Sequence, residues 1–183
     1  MNYCVEQQGM NEPLTIRPGQ VKYEPLPETP GDINPTVTNP GLTYTNEPTP
    51  KINVTLDQPA TLTVIYVPID RLDKPSNVID FYVKFVYPND TTSILYTSTP
   101  ARTPETTTTS GLSTPTTTTA AGTTAGVQPP SSDSPHINLP PNFRVPENTV
   151  IMIMIKSTPN NEPPTGVRII LVLLVSCLFE TFS

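Results

Sequence analysis

Two proline-rich stretches restrict most strongly what this chain can fold into. The 183 residues include 25 prolines but only 8 glycines, and the prolines crowd residues 11–50 and 97–135. Proline lacks a backbone donor and pushes the preceding residue toward extended backbone, which excludes a continuous helix in either stretch. We expect residues 1–50 to form an extended segment or the end of an upstream module, with a hairpin around Pro18 and Gly19 as a local alternative.

The second stretch, residues 97–135, consists almost entirely of Thr, Ser, Pro, Ala and Gly. It has too few apolar side chains to offset the entropy of ordering, so we expect a disordered or extended linker. This composition is typical of O-glycosylated, mucin-like stalks. The candidate O-glycosylation sites are Thr106, Thr107, Thr108, Thr109, Thr116, Thr117, Thr118 and Thr119. An unglycosylated linker is the alternative.

The apolar residues are concentrated in residues 52–96 and 137–179, where we expect the core. Residues 78–87 alternate with a period of two, which indicates a half-buried strand. Asp80 and Lys84 fall on its polar face, and the opposite face carries Ile79, Phe81, Val83, Phe85 and Tyr87. The enrichment in β-branched and aromatic residues, with no helical periodicity, predicts an all-β fold.

An offset of 89 residues aligns residues 54–86 with residues 143–175 without a gap. We interpret this as a degenerate repeat, with one β module at 51–96, a second at 136–179 and a tail at 180–183. The offset places Ile169 and Leu173 where the first copy has Asp80 and Lys84. The strand at 167–175 is therefore apolar on both faces and has to be covered on both. Self-association through strand 167–175 is one way to cover it.

Each copy has about 40 residues, less than the roughly 100 of an immunoglobulin-like sandwich. A core of that size rarely suffices alone. The prediction is one or two small immunoglobulin-like β-sandwich or half-sandwich units joined by the disordered Pro/Thr-rich segments. Both arrangements stay open: the copies pack into one sandwich, or each is completed by other chain.

Charge and reactive residues narrow the function classes. The net charge of −6 and the scattered basic residues argue against a nucleic-acid partner. Cys4 and Cys177 are the only cysteines and His136 is the only histidine, so no metal-ligand or nucleophile motif is present in the sequence. We therefore expect no enzyme activity and no cofactor or metal.

Two tripeptides, beginning at Asn53 and Asn89, fit the N-glycosylation rule. Asn89 is the better candidate because it follows a proline at the end of a predicted strand. The opening MNYCVEQQGM lacks the pattern of a signal peptide, so an extracellular location implies that the chain is a fragment of a longer precursor or is exported by another route. The apolar run at 167–179 is shorter than the roughly 20 residues of a membrane span, and a buried strand is favoured there over a membrane anchor.

In composition the chain resembles mucin-like surface and matrix proteins. That resemblance implies a non-enzymatic, extracellular structural or adhesive glycoprotein whose partners are other matrix or cell-surface proteins or glycans. One alternative is a specific glycan- or protein-binding β module, which would use the tyrosines Tyr66, Tyr82, Tyr87 and Tyr96. Another is a stalk or accessory region of a larger secreted enzyme.

Overall fold

The computed structural model describes residues 10–34, 41–69, 75–89, 93–100 and 133–175. The described residues form nine strands and two single turns of 3-10 helix, Pro18–Gln20 and Pro159–Asn161. The strands are β1 (Met10–Pro13), β2 (Val21–Glu24), β3 (Lys51–Thr55), β4 (Ala60–Tyr66), β5 (Asp80–Val86), β6 (Ser93–Thr97), β7 (His136–Val145), β8 (Val150–Ser157) and β9 (Ile170–Val175). Within these ranges there is no α-helix, and no helix is long and apolar enough to cross a membrane.

The strands form two antiparallel sheets that pack as a sandwich, which confirms the all-β prediction. The four-stranded sheet has the order β1-β9-β4-β7, and the five-stranded sheet has the order β2-β3-β8-β5-β6. Alternate side chains of both sheets point into one apolar core, as the period of two requires. The core residues of this region include Ile52, Leu62, Ile65, Phe81, Val83, Phe85, Ile137, Ile151, Ile153 and Leu171.

The order of the strands is that of a jelly roll rather than of an immunoglobulin domain. Without the edge strand β2, the four strands β1-β9-β4-β7 face the four strands β3-β8-β5-β6. The chain passes from one sheet to the other between β3, β4 and β5, and again between β7, β8 and β9. Strand β8 lies between β3 and β5, so strands from both sequence copies build a single sandwich.

Two corresponding strand pairs have the same register past the bulge in β4. Phe81 pairs with Ile155 between β5 and β8, and Ile170 pairs with Tyr66 between β9 and β4. The two residue numbers have the same sum in both pairs, which holds whatever the offset between the copies. The two sets of strands occupy equivalent places in opposite sheets. Strand β4 lies between β9 and β7 in the four-stranded sheet, as β8 lies between β5 and β3 in the five-stranded sheet.

A bulge in β4 changes which side chains correspond. Between Leu62 and Val64, two residues of β4 lie opposite one residue of β9. Beyond a bulge the side chains point to opposite faces. Phe81 is accordingly in the core, whereas Ile170 lies in a separate apolar cluster with Tyr66 and Val172 on the outer face.

For residues after the bulge, side chains that point the same way in the two copies are 88 residues apart instead of 89. Phe81 and Val83 thus correspond to Ile169 and Leu171 in the core. Asp80 then corresponds to Arg168 and Lys84 to Val172, both of them buried in the second copy. The sequence-based match of these positions to Ile169 and Leu173 was wrong, because a gap-free alignment carries no bulge. Strand β9 is nevertheless buried on both faces, as its composition predicts.

Strand β9 lies inside the four-stranded sheet, between β1 and β4. Its hydrogen-bonding edges are therefore used within the sandwich over the range Ile170–Val175. Edge-to-edge self-association through this strand would require β1 to be displaced. Residues 176–183, with Cys177, and residues 1–9, with Cys4, lie outside the described part of the chain.

The proline-rich region at 11–50 contributes to the core, although its composition predicted an extended segment outside it. Ile33, Leu42 and Tyr44 are each at most 2% exposed. Leu42 exchanges backbone hydrogen bonds of 2.9 Å with Val167, and the Ile169 amide donates to the carbonyl of Ile33 at 2.9 Å. Strands β1 and β2 lie in different sheets, so the hairpin predicted around Pro18 and Gly19 does not form.

Gly41 makes possible the close contact between the proline-rich region and Val167. Its φ is +75°, and a Cβ at this position would lie 2.9 Å from the carbonyl oxygen of Val167. Only glycine tolerates both that backbone conformation and that contact. Gly41 thus allows the proline-rich region to pack beside the chain that leads into β9.

Candidate functional site

The threonine-rich tract, residues 97–135, has both of its described ends, 97–100 and 133–135, at one place on the sandwich. Thr99, near the start of the tract, donates from its amide to the carbonyl oxygen of His136 at 2.8 Å, and its Oγ1 donates to the same oxygen at 2.9 Å. Residues 101–132 lie outside the described residues, and all eight candidate O-glycosylation sites fall among them. We call Ser98, Thr99, Ser134 and His136 the tract base.

The only histidine of the chain has a structural environment in the tract base. His136 Nδ1 lies 2.9 Å from the carbonyl oxygen of Ser134. Since a carbonyl oxygen only accepts, Nδ1 carries the proton in this contact. Ser134 Oγ accepts from the amide of Ile69 at 3.3 Å, and the amide of Val67 donates to Pro135 at 3.1 Å. These bonds tie the start of β7 to the chain that follows β4.

A buried carboxylate lies beside the tract base. Asp80 is 6% exposed, although the sequence analysis placed it on a solvated face. Its Oδ1 accepts from Ser98 Oγ at 2.8 Å, and its Oδ2 lies 2.7 Å from Lys156 Nζ. The hydrogen bond to Asp80 raises the pKa of Lys156. Ser98 Oγ also accepts from the Phe81 amide at 3.0 Å, which locks β6 against the start of β5.

Four of the five lysines of the chain lie on the outer face of the five-stranded sheet. The register places Lys22, Asn53, Met152 and Lys84 in one row across β2, β3, β8 and β5. The next row contains Lys51, Met154 and Tyr82. Lys156 Nζ lies over the Tyr82 ring, 5.2 Å from its centroid. We call the surface formed by Lys22, Lys51, Lys84, Lys156, Met152, Met154 and Tyr82 the lysine face.

Two carboxylates moderate the charge of the lysine face. Glu24 pairs with Lys51 across β2 and β3, and Asp80 is bound to Lys156. The face has a formal charge of +2 in a chain of −6. Sequence reasoning missed it because the four lysines are distant in the sequence. The available signal was that these lysines occupy polar positions in strands whose residues alternate between apolar and polar.

The two N-glycosylation candidates have different environments. Asn89 is exposed in the turn that follows β5, the position its sequence context predicted. Asn53 is half-buried on β3, opposite Lys22 on one side and Met152 on the other. Its Oδ1 is buried, with no hydrogen-bond partner among the described residues. A glycan on Asn53 would therefore stand in the middle of the lysine face.

The four tyrosines considered for ligand binding do not form a common surface, since Tyr87 and Tyr96 pack against the main core. Tyr66 is 6% exposed and lies on the four-stranded sheet, whereas Tyr82 lies on the lysine face. Tyr96 packs edge-on against Phe85 and Phe143, with ring centroids 5.8 Å apart in both pairs. A shared aromatic platform for sugar stacking would need these rings on one face.

A small cavity of about 240 Å³ lies beside β2. Tyr23 and Asp32 supply its polar side chains, and the remaining lining residues are Ile16, Pro18, Val21, Gly31 and Ile33. Burial, followed by the charge of Asp32, raises the pKa of Tyr23. Burial also raises the pKa of Tyr44, whose hydroxyl is enclosed with no hydrogen-bond partner in the described ranges. The cavity is smaller than the roughly 300 Å³ at which ligand pockets begin.

Comparisons with protein families, with curated proteins and with solved structures give no match to this chain. Within the described ranges, no three His, Cys, Asp or Glu side chains are grouped so that they could hold a metal ion. Two surfaces of the jelly roll, the tract base and the lysine face, are the candidate functional sites.

Proposed function

We propose that this chain is a non-enzymatic, extracellular structural or adhesive glycoprotein. In this proposal the jelly-roll sandwich carries the threonine-rich tract as a glycosylated, mucin-like loop. Several such loops on neighbouring molecules act sterically and bring weak binding surfaces together at high effective concentration. The partners are other matrix or cell-surface proteins or glycans.

The hydrogen bonds between Thr99 and His136 support this proposal most directly. They hold both ends of the tract at one place on a sandwich that is already complete in the described strands. Such a loop can lengthen or carry bulky substituents at little cost to the fold, because the closure entropy grows only slowly with loop length. Dense hydroxyls next to prolines then remain accessible to glycosyl transfer.

The test is the intact mass of the protein from its native source, before and after enzymatic removal of glycans. We expect a heterogeneous mass well above the 19.9 kDa of the polypeptide, collapsing toward that value on deglycosylation. A matched pair of variants in a glycosylating host assigns the sites. Replacing the threonines at 106–109 and 116–119 by alanine removes most of the added mass, and Asn89→Gln removes one N-linked unit. A native mass near 19.9 kDa contradicts the proposal.

A specific binding module is the second candidate function, and the lysine face is the observation that favours it. This chain is acidic, yet four of its lysines lie on one face of a sheet, and three of them, Lys22, Lys51 and Lys84, make no ion pair among the described residues. This function and the structural role are compatible, because the tract base and the lysine face are different surfaces.

A further inference from the structure

We propose that the lysine face is a docking surface for an anionic polysaccharide, a linear sugar polymer with repeated sulfate or carboxylate groups. The inference concerns the described sandwich and does not depend on glycosylation of the tract. It assigns a class of ligand to the binding function proposed in the preceding subsection. A negative result would reject this ligand without rejecting the proposed structural role.

The distribution of charge is the first argument. The chain has a net charge of −6, and repulsion keeps such a protein away from polyanions unless its cations are gathered locally. Four of its five lysines are gathered on this face. Glu24 and Asp80 are the acidic side chains that the register and the ion pairs place among them. Lys22, Lys51 and Lys84 retain ammonium groups that make no ion pair among the described residues.

The shape of the face is the second argument. Lys22 and Lys84 lie in one row three strand spacings apart, or about 14 Å. Lys51 is the diagonal neighbour of Lys22, roughly 7–8 Å away. Cations spread in this way over several strands of a sheet do not converge on one small anion. They suit a polymer that lays successive charged groups across the strands, and lysine ammoniums contact such groups without a fixed geometry.

The third argument is the chemistry of the surface between the lysines. Met152, Met154 and Tyr82 are partly buried, so that side-chain carbon and sulfur form the surface between the charges. Thioether side chains adapt to irregular shapes, and the apolar faces of sugar rings can pack on such ground. A charge patch of this kind on a sheet, with no deep pocket, provides modest affinity that depends on salt.

The experiment uses the full chain made in a bacterial host, so that no glycan covers Asn53. The probes are dextran sulfate and uncharged dextran of the same length, with calorimetry as the measurement. Lys51→Gln/Lys84→Gln removes two charges from the face. Arg17→Gln/Arg144→Gln removes two exposed charges elsewhere and serves as the matched control. The Arg17 ion pair with Asp57 is 3.4 Å long and exposed, so its loss should cost little stability.

We expect the full chain to bind dextran sulfate but not dextran, with an affinity that falls as salt rises. The lysine variant should bind about tenfold more weakly and the arginine variant less than about twofold more weakly. The proposal is overturned by three results: no binding of dextran sulfate, equal weakening by both variants, or stronger lysine-dependent binding to phosphatidylserine vesicles than to dextran sulfate.

A second measurement covers the case in which the lysine variant folds poorly. The unaltered chain is treated with an amine-reactive reagent with and without dextran sulfate, and each lysine is quantified by mass spectrometry. Protection of Lys22, Lys51 and Lys84, with the α-amino group still labelled, supports the docking surface. Equal labelling of all amines in both samples contradicts it.

Discussion

The outer faces of the two sheets occupy corresponding places in the jelly roll, yet they differ in chemistry. On the four-stranded sheet, Tyr66, Ile170 and Val172 form an apolar cluster, each at most 9% exposed. On the five-stranded sheet, the corresponding region carries lysines, methionines and Tyr82. Past the bulge in β4, Val172 has the place of Lys84.

The two faces therefore differ in chemistry although both belong to antiparallel pairs in corresponding places of the sandwich. Backbone hydrogen bonds between strands do not involve the side chains that point outward. The outward side chains are therefore free to become either a covered apolar layer or a charged surface. The covered face contributes to stability, and the charged face is available for binding.

The largest expected effect on stability comes from placing a lysine on the apolar outer face, at the position that corresponds to Lys84. Val172→Lys would place an ammonium group in a site that is 4% exposed. Because an unpaired buried charge is strongly disfavoured, we expect a loss of about 3 kcal/mol or more in the free energy of unfolding. Guanidinium denaturation measures it.

Lys84→Val is the matched control on the lysine face. It removes a partly exposed charge, and we expect a change within about 0.5 kcal/mol. If Val172→Lys cost no more than this control, the outer face of the four-stranded sheet would be open to solvent, and the contrast between the faces would disappear.

A smaller effect is expected where the lysine face meets the tract base. Lys156→Met leaves the carboxylate of Asp80 buried without its ammonium partner. The Lys156 side chain is 41% exposed, so solvent screening reduces the cost, and we expect a loss smaller than that of Val172→Lys but larger than that of a lysine without a buried partner. Thermal or denaturant unfolding measures the loss. Lys22→Met, on the same face without a buried partner, should change stability by less than about 0.5 kcal/mol.

The double variant Asp80→Asn/Lys156→Met separates the two causes. It removes both charges together, and we expect part of the lost stability to return, since no uncompensated carboxylate remains. A double variant as unstable as the sum of the single changes would show that Lys156 acts through packing on Tyr82 instead of through Asp80.

The smallest effect is expected in alkaline solution. The folded state raises the pKa of Lys156, Tyr23 and Tyr44. The unfolded chain therefore releases these protons first, and stability present at neutral pH falls as the pH rises above about 10. For Tyr44 alone the fall is on the order of 1 kcal/mol between pH 10 and pH 11.

Denaturant unfolding at a series of pH values measures that fall, and Tyr44→Phe is the diagnostic variant. It removes a buried hydroxyl that has no partner in the described ranges, so stability at pH 7 should be equal or slightly higher. Its alkaline fall should be shallower than that of the unaltered chain. A parallel fall in both proteins would assign the effect to Lys156 and Tyr23.

The sequence predicted the sandwich from local patterns, and it failed where a distant contact decided the outcome. The alternation at Phe81, Val83 and Phe85 was sufficient for β5, since a period of two is a property of the strand itself. Leu42 and Tyr44 were assigned to an extended region because prolines surround them. Their burial depends on Val167 and Pro164, whose backbone oxygens accept their amides at 2.9 Å.

The candidate site was predicted only in part. The exposed turn at Asn89 follows from the neighbouring proline and the end of a strand. The tract itself was evident in the composition, but the hydrogen bonds of Thr99 to His136 join residues 37 positions apart. The lysine face was not predicted, since Lys22, Lys51, Lys84 and Lys156 become neighbours only through the order of β2, β3, β8 and β5.

The sequence by itself determined which segments could be strands, that the strand at 167–175 needed cover on both faces, and that the two copies share one plan. These follow from periodicity and apolar composition, which each segment carries locally. Only the tertiary structure decided that the copies interleave in one jelly roll and that a bulge at Thr63 reverses the facing of every later residue in the comparison. The physical reason is that register and facing are set by pairing between strands, which no single strand encodes.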